Sequence, residues 1–394
     1  MLNNEEFFYN LNETLEIFLD DPYGNKKIAF DIQMSILNRI LLIEDEINKN
    51  EEIRKSNKKI TKIKSTDNNV RRELSSQSKT IKDINILYKE DMKKLRTIVD
   101  SIAFSYFSKY DLKPLVWKQS PGFIGGKTGL KKELEIFESY FETGKFAILN
   151  DITNSLKFGD LTIDKNGKPD LLEVKTSSFI DKRVVKQRTD IQDKLNVINN
   201  DYIENFEGTD LTFKRIHSEE SEINYVDLLQ GMIKKAFSIG ESVNKVEDGL
   251  TYIVLYNLNQ KDELENKDKL KEIFNSFKQP HVFALNFLKS VKENYTPFPI
   301  IIRDSMALQE FYDGNLIIIV VVDMDILKNK LDLLGYTLKS KDDEGLKITF
   351  RLNGKDTEII VSNYHFYRLG RELLSLDWFI SSIDDTIKYA KSKY

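Results

Sequence analysis

The sequence predicts an α+β protein in three parts: an N-terminal helical arm over residues 1–112, a mixed domain over 113–260, and a smaller α/β C-terminal region over 261–394. Three observations predict it. Apolar residues between 26 and 110 recur at helical spacing without a proline or glycine to interrupt them. An Asn166-Gly167 pair separates two β-like runs, the signal of a tight hairpin. The unbroken apolar run "LIIIVVV", Leu316 to Val322, is bounded by polar residues and reads as a buried strand.

Taken in order, Ile36, Ile40, Ile43 and Ile47 form the stripe of a first long helix. After the polar break "KSTDNN" a second stripe runs through Val70, Leu74, Ile81, Tyr88, Leu95 and Ile102. From Leu74 onward its step is seven, the mark of a coiled-coil-like seam. Two long antiparallel helices follow from this, with the basic stretch "RKSNKKITKIKS" (Arg54 to Ser65) at their tip. That tip reads either as a solvated end or as a contact for a phosphate backbone or a partner.

The first Pro/Gly-rich stretch, residues 111–129, marks a boundary. Beyond it, Leu130, Leu134, Phe137 and Phe141 share one face of a helix over 129–142. Strands are expected at 146–149, 156–163 and 171–177, then helices at 182–202 and 225–239 and a strand at 251–258. The order is α-β-β-β-α, then α-β. Residues 259–272 are a charged linker or exposed helix. "TPFPIII" and the run from Leu316 give strand, strand, helix. Residues 346–362 give a hairpin around Asn353-Gly354, and residues 378–394 a last helix.

Composition narrows the chemistry. The net charge is −4 with 31% charged residues, so a basic surface has to be local. With no cysteine there are no disulfides, zinc ribbons or thiol nucleophiles. The three histidines, His217, His281 and His365, lack ligand spacing. The first twenty residues carry no basic segment followed by an apolar one, and the longest apolar run is too short for a bilayer. The expectation is a cytoplasmic protein without membrane contact.

The stretch "FGDLTIDKNGKPDLLEVKTSS", Phe158 to Ser178, carries the chemistry. Alternation along a strand places Leu171, Glu173 and Lys175 on one face. Asp160 stands on the preceding strand, across the Asn166-Gly167 turn. One carboxylate from each strand, with the carbonyl of Val174, can converge on a hard cation such as Mg²⁺ or Mn²⁺. Lys175 then acts at a bound water or at a phosphate. Two carboxylates and a divalent ion make water more acidic and stabilise charge on a scissile phosphate.

"GD" followed by "LLEVK" resembles the PD-(D/E)xK nuclease superfamily, and the helix "GLKKELEIFESYFETGKF" is similar to the first helix of its Mrr-like members. The resemblance spans residues 115–260. It implies a restriction-endonuclease-like αβββαβ core and a metal-dependent endonuclease hydrolysing phosphodiester bonds, DNA before RNA, in restriction or anti-phage defence. It also implies a catalytic set of Glu133, Asp160, Glu173, Lys175 and Gln187, with Asp160, Glu173 and Val174 holding the metal. Glu133 matches the acid of a Gly-x-x-x-Glu pattern that starts at Gly129; Glu135 and Glu138 are weaker candidates. Arg188 is a possible phosphate contact, and Gln230 rivals Gln187. The chain departs from the motif in having Gly159 where the family has proline. The literal Pro169-Asp170 lies on the same strand as Glu173, which leaves Asp160 the better ligand. The helical arm implies a homo-oligomer or a subunit of a larger defence complex. A non-catalytic interaction or nucleic-acid-binding protein with a nuclease-like fold is the alternative.

Three further patterns are weaker. "GGKT", Gly125 to Thr128, has the end of a P-loop, but Pro121 stands where its first glycine belongs. "VVVDMDIL" has the Asp-x-Asp of aspartate-nucleophile phosphatases, with too little chain after it; Asp323 reads better as a helix cap. A second Glu-x-Lys, at Glu265 to Lys267, lies in the charged stretch with no strand around it.

Overall fold

The long apolar stripes become long helices. A computed structural model describes residues 2, 4–63, 67–116, 122–174, 182–200, 202–203, 213–214, 220–256, 271–275, 277–288 and 295–393. They form two compact units, Met1–Phe213 and Lys214–Tyr394, in a mixed α+β architecture.

In the first unit, α1 (Asn4–Asp20) precedes α2 (Lys26–Thr61) and α3 (Asn68–Tyr106). Asp67 caps α3 by accepting from the N–H groups of Asn69 and Val70. Ile36, Ile40, Ile43 and Ile47 on α2 are buried, as are Ile81, Tyr88, Leu95 and Ile102 on α3. Each such side chain contributes about 1.5–3 kcal/mol by leaving water. The seven-residue seam therefore holds from Ile81 onward. Toward the tip it gives way to polar contacts: Asn57 donates to Gln77 at 2.9 Å and Asn50 to Asn85 at 2.8 Å. Val70 is left 42% exposed.

The helices share their core with a small sheet. Following α4 (Leu130–Glu142), strands β1 (Ala147–Leu149), β2 (Leu161–Lys165) and β3 (Lys168–Leu172) pair antiparallel in the order β1-β2-β3. Asn166 and Gly167, with φ of 58° and 82°, make the tight turn that the sequence signals. Gln33 of α2 donates to the carbonyl of Ala147 and accepts from the N–H of Leu149, at 3.1 and 3.0 Å. Its amide thus satisfies the free edge of β1 as another strand would. Tyr106 of α3 stacks on Phe146 with centroids 3.6 Å apart and donates to Asp164 at 2.9 Å. Helix α5 (Lys182–Asn200) completes the run α-β-β-β-α.

In the second unit, α6 (Val226–Ile239) leads to β4 (Glu241–Glu247) and β5 (Leu250–Tyr256). With β6 (Pro280–Ala284) and β7 (Leu316–Asp323) they form an antiparallel sheet ordered β4-β5-β7-β6. The strand expected at 251–258 is thus present but pairs with β7, from Leu250 opposite Val322 to Tyr256 opposite Leu316. As the two centre strands of the sheet, both have their backbones paired along both edges. "TPFPIII" is not a strand: Phe298–Ile300 is a 3₁₀ turn, because Pro297 and Pro299 have no N–H to give to a ladder. Helix α7 (Ser305–Asp313) precedes β7, and α8 (Met324–Leu333) follows it. A second antiparallel sheet comprises β8 (Thr337–Lys341), β9 (Gly345–Leu352) and β10 (Lys355–Ser362), with the expected turn at Asn353-Gly354. Helix α9 (Leu376–Lys393) ends the described chain. Among the described residues no helix is long and apolar enough to cross a membrane.

Candidate active site

Antiparallel pairing brings the end of β1, the start of β2 and the end of β3 to one edge of the small sheet. The ladder pairs Leu149 with Leu161 and Leu161 with Leu172. One step beyond, Asn150, Asp160 and Glu173 meet. The backbone continues the pairing, since Asn150 N–H donates to the carbonyl of Asp160 at 3.0 Å and Asp160 N–H to that of Leu172 at 2.9 Å.

Gly159 explains why the position before the aspartate carries no side chain. Its φ is +71°, and a Cβ there would stand 2.9 Å from the carbonyl oxygen of Leu172. Only glycine accommodates both conditions. Asn150 holds this corner: its amide donates to the carbonyls of Phe158 and Gly159 and accepts from the hydroxyl of Thr162. Asp160 in turn accepts from the N–H of Val174, N to Oδ2 at 2.7 Å.

Glu133 lies in the first turn of α4 and is buried, whereas Glu135 and Glu138 are exposed. Its carboxyl is pushed up to about 7, first by burial, then by the charges of Asp160 and Asp151, with Glu173 adding to them and Lys127 opposing. Asp160 is also raised, by burial and by Asp151, against the opposing Val174 hydrogen bond and Lys127. Asp151, Asp160 and Glu173 thus all bear on Glu133, and Asp151 on Asp160, which marks a patch of negative charge. Lys127 pairs with Asp151 at its rim. Beside it, Lys157 donates to the carbonyl of Asn150 at 3.1 Å, and burial, with Arg96 nearby, lowers it to about 7.

Asn150, Asp151 and Lys127 were not among the residues the sequence singled out for this site. Asp151 follows a short strand and Lys127 sits in the glycine-rich loop, and neither position signals its partner until the sheet edge is closed. Lys175 lies outside the described residues. Gln187 and Arg188 fall on α5, but their side chains lie outside the described residues as well. Gln230 belongs to the second unit, where its amide donates to the carbonyl of Ile301 and accepts from the N–H of Arg303.

The donor set is all oxygen, and burial, with neighbouring carboxylates adding to it, raises Glu133 and Asp160; an all-oxygen set fits a hard divalent cation. Among the described residues no three acidic or histidine side chains form a ready-made cage.

The glycine-rich loop is not a phosphate cradle. Buried Glu44 of α2 accepts from the N–H of Ile124, at 2.9 Å to each oxygen, and from that of Gly125 at 2.7 Å. Two of the backbone donors that a P-loop would offer an anion are thus committed to a carboxylate. In the second unit Asp323 caps α8 by accepting from Asp325 N–H at 3.0 Å. Its strand has antiparallel neighbours on both sides, without the parallel crossovers that open a strand-end crevice.

Family models, curated proteins and solved structures give no match to this chain.

Proposed function

We propose that the first unit is a metal-dependent endonuclease, its α-β-β-β-α run answering to the first part of a restriction-endonuclease-like core, hydrolysing phosphodiester bonds in DNA. The reading rests on one observation above the others. Asp160 and Val174 are hydrogen-bonded at 2.7 Å, so the Gly-Asp and Glu-x-Lys segments meet, and buried Glu133 feels the charges of Asp160 and Glu173. Asp160, Glu173 and the carbonyl of Val174 are the residues that would hold Mg²⁺ or Mn²⁺. Such an ion supplies a more acidic water and neutralises charge on the phosphate. Glu133, raised to about 7, can hold or release a proton at its carboxyl oxygen near neutral pH. Lys175, two residues beyond Glu173, is assigned to orienting the attacking water, and Gln187 to the edge of the site. A setting in restriction or anti-phage defence, as a homo-oligomer or within a larger complex, is an analogy with nucleases that carry long helical additions.

Cleavage of supercoiled and linear DNA in Mg²⁺, Mn²⁺ or EDTA, by the wild type and Lys175→Ala, tests this reading. Metal-dependent cutting lost in the variant supports it. Cutting retained by the variant removes Lys175 from the site, and no cutting by either favours a nucleic-acid-binding protein with the same fold.

A further inference from the structure

We propose that the outer half of the α2–α3 hairpin is a binding ridge for the phosphate backbone of duplex DNA, on the side of the hairpin that carries the candidate active site. The choice of DNA as the duplex rests on the nuclease reading; the ridge itself rests on the following geometry.

Residues eleven apart on a helix are about 20° from the same stripe. Gln33, Glu44 and Lys55 are so spaced on α2. Gln33 bonds β1, and Glu44 binds the 124–125 loop that leads to Lys127. Beyond Glu44 the same side continues as Lys55, flanked by Lys58, Lys59 and Lys62, all exposed. On α3, Asp100 is buried against the site's own loop, accepting from Asn154 N–H at 3.1 Å and from the Ser155 hydroxyl at 2.6 Å. Stepping outward by seven, four and seven residues from Asp100 reaches Lys93, Lys89 and Lys82, with Lys79 and Arg72 beside that line, again all exposed. Both stripes start under the loops of the site, so both continue on the same side of the hairpin.

The charge toward the tip of the hairpin is one-sided. Arg54 to Lys82 contains ten Lys and Arg against two acids, in a chain of net charge −4. One of those acids, Asp67, is occupied as the cap of α3. Among the described residues no ion pair to a carboxylate involves Lys55, Lys58, Lys59, Lys62, Arg72, Lys79 or Lys82. Like charges at helical spacing repel, and a polyanion laid along the two rows relieves that repulsion. The segment has no Phe, Tyr or Trp. Protein interfaces centre on such anchors, and single strands are held by stacking on them; a duplex backbone needs neither. From Glu44 the ridge extends about 16 Å to Lys55 and about 27 Å to Lys62, at 1.5 Å per residue. Along a duplex those lengths span about five to eight base pairs, at 3.4 Å per step.

The test is fluorescence anisotropy of a 30-base-pair duplex in EDTA, from about 50 to 200 mM KCl, with the wild type and K55Q/K58Q/K59Q/K62Q. Glutamine preserves helix propensity, and circular dichroism checks the fold. The expected result is at least a tenfold weaker Kd for the quadruple variant. Its log K against log salt slope should be shallower by about three to four, at roughly 0.9 for each phosphate that the variant leaves unneutralised. An unchanged Kd and slope in the quadruple variant overturns the ridge, even where metal-dependent cutting is intact. So does a wild type that binds anionic vesicles but no duplex. Ridge-dependent binding without cutting in any metal upholds the ridge and removes the nuclease reading.

Discussion

Asp160 completes the β2–β3 ladder with its side chain: where regular pairing ends at Leu161 and Leu172, the N–H of Val174 donates to Asp160 Oδ2 at 2.7 Å. One oxygen is thereby fixed to the backbone of the Glu-x-Lys segment, beside Glu173 in the chain.

Asp160→Asn keeps an oxygen for Val174 and removes one negative charge from the patch. The variant should melt at or above the wild-type temperature and cut DNA at least about 100-fold more slowly. Calorimetry alongside a cleavage time course checks both halves; a large drop in melting temperature would mean that the charge itself holds the corner together.

Gly159→Ala should be costly, because the added Cβ meets the carbonyl of Leu172 at 2.9 Å with φ at +71°. We expect a loss of about 1–3 kcal/mol in urea unfolding. Cleavage should fall too, since Asp160 is the next residue.

Glu133 makes the metal-free protein pH-dependent. Its folded value of about 7 lies above the ordinary 4.5, so between these pH values the folded state binds more protons than the unfolded one. Stability therefore falls as pH rises through that window, and the penalty is full above 7. Glu133→Gln should be more stable than the wild type by about 1–3 kcal/mol at pH 8 and equal to it below pH 4.5. Urea titrations at the two pH values measure the difference.

Glu44 fastens the glycine-rich loop through three backbone hydrogen bonds from Ile124 and Gly125. Glu44→Ala leaves those donors buried without an acceptor and should cost about 2–3 kcal/mol. Faster amide exchange at Ile124 and Gly125 would show the loop released, and Lys127 with it.

The local elements were legible because short-range chemistry decides them. The seam from Ile81 to Ile102, the Asn166-Gly167 turn and the Asp323 cap each follow from residue type at fixed spacing. Glu133, picked out by the family pattern, is buried beside exposed Glu135 and Glu138. What depends on long-range pairing was not legible. The apolar runs at 250–256 and 316–323 each read as a strand, but nothing in either says that they pair with each other. The helices at 26–106 read as an arm; Gln33, Glu44 and Asp100, single polar residues on their buried side, tie them to the sheet and its loops instead. Asn150, Asp151 and Lys127 enter the site only through the closing of that edge, whereas Asp160 and Glu173 announce themselves by standing in apolar strands.

The most direct measurement is the rate of DNA cleavage in Mg²⁺ by the wild type and by folded Asp160→Asn, each repeated in EDTA. Cutting by the wild type that needs the metal and is lost in the variant is the predicted result. Cutting in EDTA, or equal cutting by Asp160→Asn, would contradict a metal-dependent site at the Asp160–Val174 corner.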